Sequence, residues 1–227
     1  MSSTSDRAPD PRPARTRAAI FAAARDLTSV DGEVTVNALA KRAGVSRAAF
    51  YSHFSGLDDL MGAMFQQMFD AAWERGRAYA AEKQSLQEAV QFGFGMFVAY
   101  VERHHAFLRG ALDWKFSHRT YLILADTMTK LHGEALTRLG DRVPVRQRTE
   151  SAGRSIAGSE LAFAAQWLVE TEQQAAAGEA LDATSLLETI LIFVPSWYTG
   201  IGPEDPIAAA ELLALCRTAA ADEAAEG

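Results

Sequence analysis

The chain has 227 residues, 48% hydrophobic and 22% charged, which is enough to bury a core without covalent staples. No apolar run approaches the roughly 18 residues of a membrane span. The opening MSSTSDRAPDPRPAR has no secretory apolar stretch, and the single cysteine, Cys216, excludes an intrachain disulfide or a cysteine-rich metal site, so a reducing cytoplasm is the expected compartment.

The formal charge of −7 is unevenly spread: residues 1–53 carry 8 Lys and Arg against 5 Asp and Glu, and residues 54–227 carry 14 against 24. A basic head of this kind can dock on phosphates while an acidic body is repelled from them.

The sequence predicts an all-α protein. Residues 1–12 read as a disordered arm rich in Ser and Pro. A first helix is expected from Pro13 to Val30, with Ile20, Ala24, Leu27 and Val30 at a 3/4 spacing and Asp31-Gly32 ending it. Thr35 is the predicted N-cap of a second helix reaching Ala43, Gly44 the turn, and Ser46 the cap of a third helix to Phe54. Ser55 with Asp58 resembles a capping box opening a fourth helix to Ala81. Further helices are expected at 84–104, 106–113, 118–139, 147–175, 183–199 and 204–222, with Pro195 kinking or ending the one it falls in and residues 223–227 fraying. The domain reading is a head at 13–55 and a helical body at 56–222.

The run from Val34 to Phe54, VTVNALAKRAGVSRAAFYSHF, reads as helix, glycine turn, helix. The second helix of such a pair meets a major groove with its first residues, here Ser46, Arg47 and Ala48. Arg47 can reach guanine O6 and N7 together, and the methyls of Ala48 and Ala49 permit close approach to a thymine methyl. Tyr51, His53, Thr35 and Lys41 suit phosphate contacts that set register.

The whole stretch from about residue 14 to 62 resembles the DNA-binding domain of TetR-type (tetracycline-repressor-like) transcriptional regulators. The residues that carry the resemblance are Thr16-Arg17, Ile20, Thr35-Val36, Leu39-Ala40, Ala43-Gly44-Val45-Ser46, Phe50-Tyr51, His53-Phe54 and Leu60. It implies that Arg47, Ala49, Tyr51 and His53 face DNA and that Thr35 caps its helix and meets a phosphate. The chain departs from the pattern after Phe54, where Ser55, Gly56 and Leu57 stand in place of a frequent lysine. Arg15 and Arg17 are candidates to replace that phosphate contact.

The resemblance further implies a helical C-terminal part that forms a homodimer and binds a small effector, with a palindromic operator as the DNA partner. Two apolar stripes fit either an interface or an internal core: Gly158, Leu161, Ala162, Ala165, Leu168 and Val169, and Leu187, Ile190, Leu191, Val194 and Tyr198. Trp73, Phe94, Phe97, Tyr100, His104, Trp114, Phe163 and Trp167 are candidates to line a ligand pocket, or to be ordinary core. Gly93 and Gly95, costly in a helix, leave room either for a ligand or for close packing.

Adjacent His104 and His105 diverge by about 100° on a helix, and His118 and His132 are scattered, so no metal site is read. No cofactor or catalytic motif is present in the sequence. The expected function is a cytoplasmic, bacterial, homodimeric repressor released from its operator by a small, largely apolar effector. The alternatives are an activator, or a helical small-molecule binder or enzyme whose head has lost DNA function.

Overall fold

The computed structural model describes residues 12–28, 34–83, 85–113 and 117–226. Among them every regular element is helical, and no helix is long and apolar enough to cross a membrane. Residues 1–11 of the expected N-terminal arm, Val30, Asp31-Gly32 and Trp114 lie outside the described residues, and Arg12 already belongs to the first helix.

The head comprises α1 (Arg12–Thr28), α2 (Val36–Ala43) and α3 (Arg47–Tyr51). Ile20 and Ala24 of α1, Leu39 of α2, Phe50 of α3 and Phe54 just beyond it are fully or almost fully buried and form its core. The aromatic pairs Phe21–Phe54 and Phe50–Phe54, each with ring centroids 5.7 Å apart, knit α1 to the end of α3. Arg42 holds α2 to α1 through Asp26 at 2.8 Å, an exposed pair worth about 0–1 kcal/mol.

The fourth helix, α4 (Leu57–Lys83), starts differently from the capping box that Ser55 and Asp58 suggest. Ser55 donates from its N–H (2.7 Å) and hydroxyl (3.1 Å) to Asp59. The helix begins at Leu57, so Gly56 is the N-cap and Asp59 the third helical residue, the position from which a carboxylate turns back. Asp58 is thereby left to pair with Arg119 at 2.7 Å, tying the start of α4 to α7 (Ser117–Leu139).

The body is organised around α5 (Leu86–Arg103), in which Phe92, Phe94 to Ala99 and Val101 are all buried. Packed on it are α4, α10 (Ala183–Phe193), α11 (Ser196–Thr199) and α12 (Ala209–Glu226). Helix α6 (His105–Leu112) leans on α1 of the head, and α7 packs against both α4 and α8 (Glu150–Glu170).

Three expected helices are shorter or divided. The stretch expected at 147–175 breaks at Thr171 into α8 and α9 (Glu172–Ala176). The Thr171 hydroxyl donates back to the Trp167 carbonyl at 2.6 Å and lies 2.8 Å from His105 Nε2, a local bond that competes with the helix. Pro195 divides α10 from α11, since it has no N–H to continue the ladder. Pro206 falls where the last helix was expected, and that helix instead starts at Ala209. At its other end α12 runs on to Glu226.

The two apolar stripes also resolve. Leu187, Ile190, Leu191, Val194 and Tyr198 are 0–5% exposed and belong to the chain's own core. Leu161 and Leu168 are likewise buried, whereas Val169, Ile192 and Phe193 on the neighbouring faces of α8 and α10 are 53%, 65% and 67% exposed. Periodicity shows that a helix has an apolar stripe but not which of two apolar faces the rest of the chain covers.

Candidate nucleic-acid interface and effector cavity

Helices α2 and α3 are set by local chemistry. The Thr35 hydroxyl accepts from the Ala38 N–H at 3.1 Å, and the Ser46 hydroxyl from the Ala49 N–H at 3.0 Å. Each cap is worth about 1 kcal/mol. Gly44 adopts φ +66°, the left-handed conformation that ends α2, and Val45 donates back to the Ala40 carbonyl at 2.9 Å. The chain thus reverses within three residues, and Phe50 anchors α3 beneath the surface.

What remains outward on α3 is Arg47, Ala48 and Tyr51, all exposed, with Ala49 half-buried. Ser46 is exposed at its start, His53 half-buried beyond its end, and Lys41 and Thr35 exposed on and before α2. These groups form one hydroxyl-rich, basic surface. Arg17 sits beside it with its guanidinium 5.0 and 5.1 Å from the ring centres of Phe21 and Phe54. That cation–π seat fixes its direction while leaving the residue exposed. Ser55, Gly56 and Leu57 offer no cation at the start of α4, and the Ser55 hydroxyl donates to Asp59.

A second feature lies in the body. A cavity of about 100 Å³, open to solvent on one side, is lined by Gly76 and Arg77 of α4, by Leu86, Ala89, Val90, Gly93, Phe94 and Phe97 of α5, and by Met128, Leu131, His132, Ala135, Arg138 and Leu139 of α7. Glu160 of α8 and Tyr198 of α11 complete the wall. The lining is mainly apolar, with its polar groups gathered in two places. Arg77 and Arg138 stand toward the end near Leu86 and Leu139, and Arg77 pairs with Glu74. A buried chain of three groups lies further along α7: His132 Nδ1 is 2.8 Å from the Tyr198 hydroxyl and His132 Nε2 is 3.1 Å from Glu160 Oε2.

Burial pushes the Glu160 carboxyl above the usual carboxylate range, against the pull of His132. Burial, then the nearby Glu160, pushes the Tyr198 phenol upward as well. Helix α5 holds Tyr198 in place: Gln91 and Gln87 donate to the Thr199 and Trp197 carbonyls at 2.7 and 3.3 Å, satisfying the end of the short α11.

Of the aromatic candidates, Phe94 and Phe97 line this cavity. Tyr100 and His104 stack on each other at 4.2 Å near the end of α5. Burial first, then Arg25 and Arg103, holds His104 down to about 4. Trp167 packs edge-on to His105 and donates to the Asp182 carbonyl at 3.1 Å. Phe163 pairs with Phe193 at 5.2 Å on the outer face of α8 and α10. Trp73 belongs to α4, but its side chain, like Trp114, lies outside the described residues.

His132, Glu160 and Tyr198 are absent from the sequence-based candidates. The legible signal was Glu160, a carboxylate at a core position of α8 between Ala157 and Ala164. The partner 28 residues away has no sequence signature. Among the described residues no group of three or more His, Cys, Asp or Glu is placed to hold a metal.

Residues 20–64 match the sequence profile of bacterial regulatory proteins of the tetR family. No curated protein matches the chain in sequence. Among solved structures, the TetR-family transcriptional repressor FadR of Thermus thermophilus, described in complex with lauroyl-CoA, superposes with a TM-score of 0.62 at 22% identity, over 84% of this chain and 98% of that one. The fatty acid degradation regulator FadR of Bacillus halodurans superposes with a TM-score of 0.51 at 14% identity, over 83% and 99%. The head thus carries the sequence pattern of the tetR family of bacterial regulatory proteins over residues 20–64, and the chain shares the all-helical fold of these two FadR structures.

Proposed function

We propose that this regulator is a cytoplasmic, non-enzymatic homodimer that occupies a palindromic operator through α3 and is released when a small, largely apolar effector enters the cavity between α4, α5 and α7. The observation that carries this reading is the double use of α4. Its first turns follow directly on the head and bury Leu60, Met61, Met64 and Phe65, and its later residues Gly76 and Arg77 line the cavity. The cavity of about 100 Å³ is smaller than the roughly 150 Å³ that accepts benzene and far below the roughly 300–1,000 Å³ of ordinary ligand pockets. An effector of ordinary size exceeds this volume and bears on the walls, and two of the three helical walls, α4 and α7, are joined at the head end by Asp58–Arg119. Only an effector that binds the two arrangements with different affinity shifts the equilibrium.

Two recognition helices in a dimer must meet grooves about 34–36 Å apart, so a tilt of α4 spoils operator binding without altering α3. The exposed patch of Val169, Ile192 and Phe193, with Phe163 stacked on Phe193, supplies the dimer face in this reading.

Selection from random duplexes tests the reading. Two-fold symmetric sites are expected, with affinity falling steeply as salt rises. Recovery of duplexes with no common sequence would refute it.

A further inference from the structure

We propose that the Tyr198–His132–Glu160 chain is a hydroxyl-recognition site, so that the effector is an apolar molecule carrying a hydroxyl group that accepts from one of Tyr198 and Glu160 and donates to the other. This rests on reading the cavity as the effector site and names the chemistry of its occupant.

Glu160 and His132 are 3% and 13% exposed by side chain and 3.1 Å apart. Burial disfavours a net charge on such a pair. The uncharged arrangements are a carboxylate facing an imidazolium and a carboxylic acid facing a neutral imidazole. In either, Tyr198, His132 and Glu160 carry three polar hydrogens between them, and the two contacts of 2.8 and 3.1 Å use only two. The third sits on the Tyr198 phenol when Nδ1 donates to it, or on the Glu160 acid when Nδ1 accepts from it, and needs an acceptor, because a buried O–H left unpaired costs about 1–3 kcal/mol. Tyr198 and Glu160 both line the cavity, and apart from His132 the remaining side chains of its wall are apolar or, in Arg77 and Arg138, donors only, so none offers a strong acceptor. A ligand hydroxyl satisfies both groups at once, and an apolar ligand satisfies neither. A site built around a hydroxyl rejects the analogue without it more strongly than an apolar pocket distinguishes two hydrocarbons.

The probes are benzyl alcohol and ethylbenzene, alike in shape and differing in a hydroxyl for a methyl, titrated calorimetrically into the full-length protein. Benzyl alcohol is expected to bind at least about tenfold more tightly. Tyr198→Phe, and separately Glu160→Gln, should reduce that ratio to below about threefold while ethylbenzene affinity stays within about twofold. Ala135→Phe, which fills the cavity, should abolish binding of both. Equal affinity of the wild type for the two probes overturns the proposal and leaves the cavity as an unselective apolar site. Failure of both probes to bind overturns the cavity reading and the proposal with it. The wild-type ratio decides the matter even if a variant does not fold, and melting curves identify such a variant.

Discussion

Gly93 and Gly95 lie two residues apart in α5, and the structure gives their replacement by alanine opposite signs. Gly93 lines the cavity, and a Cβ added there meets nothing within 4 Å. Gly93→Ala therefore keeps the full helix-propensity gain, about 0.8–1 kcal/mol. At Gly95 the added Cβ falls 2.6 Å from Cys216 Sγ and 3.3 Å from Leu212 Cγ. Cys216 is fully buried in α12, and its thiol donates to the Phe92 carbonyl at 3.6 Å, a contact it would lose by turning away. Overpacking a core costs about 1–3 kcal/mol, which exceeds the propensity gain over most of that range, so Gly95→Ala is destabilising by up to about 2 kcal/mol. At about 2–4 °C per kcal/mol for a chain of this size, the two variants should melt on opposite sides of the wild type. Combining Gly95→Ala with Cys216→Ala removes the clashing sulfur, and the cycle should show favourable coupling of about 1 kcal/mol. Thermal unfolding followed by circular dichroism reads all of this. A Gly95→Ala variant as stable as Gly93→Ala, or additive behaviour with Cys216→Ala, would refute the packing argument.

Three further outcomes are expected. Arg47→Ala should weaken binding to a selected duplex by about 1–3 kcal/mol and relax preference at one base pair per half-site, measured by fluorescence anisotropy. Phe193→Glu should convert the dimer to monomer in sedimentation while the helical spectrum is kept; an unchanged dimer would place the interface elsewhere. His104 is held down to about 4 and His105 is also lowered, in both cases chiefly by burial. The unfolded chain therefore binds protons below about pH 6.5 that the folded chain refuses. Their contribution to stability is complete above that pH and is lost as pH falls from about 6.5 toward 4; melting temperatures of His104→Gln should depend less on pH over that window than those of the wild type.

The head was legible because its determinants are local. Thr35, Gly44 and Ser46 act on residues within five positions, and Phe50 and Phe54 repeat at a helical spacing. Sequence spacing also located Phe94 and Phe97 on a helix that reaches the cavity. It did not separate them from Trp167 or Phe163, because an aromatic residue facing a cavity and one facing a neighbouring helix carry the same period. The polar chain was hidden for a related reason: Tyr198, His132 and Glu160 come from α11, α7 and α8, and only the packing of those helices brings them together. At the break the Thr171 hydroxyl also meets His105, 66 residues away, a contact that no local pattern records.

The central claim is that the cavity and the DNA-binding head are joined through α4. Its most direct test is operator affinity in a variant whose cavity is permanently filled. Ala135→Phe places a ring in the cavity from α7, and its affinity for a selected palindromic duplex is compared with that of the wild type at fixed salt. Coupling predicts a loss of at least about tenfold, or 1.4 kcal/mol, in a protein that remains dimeric and cooperatively folded. A stable Ala135→Phe protein that binds the duplex as tightly as the wild type would contradict it.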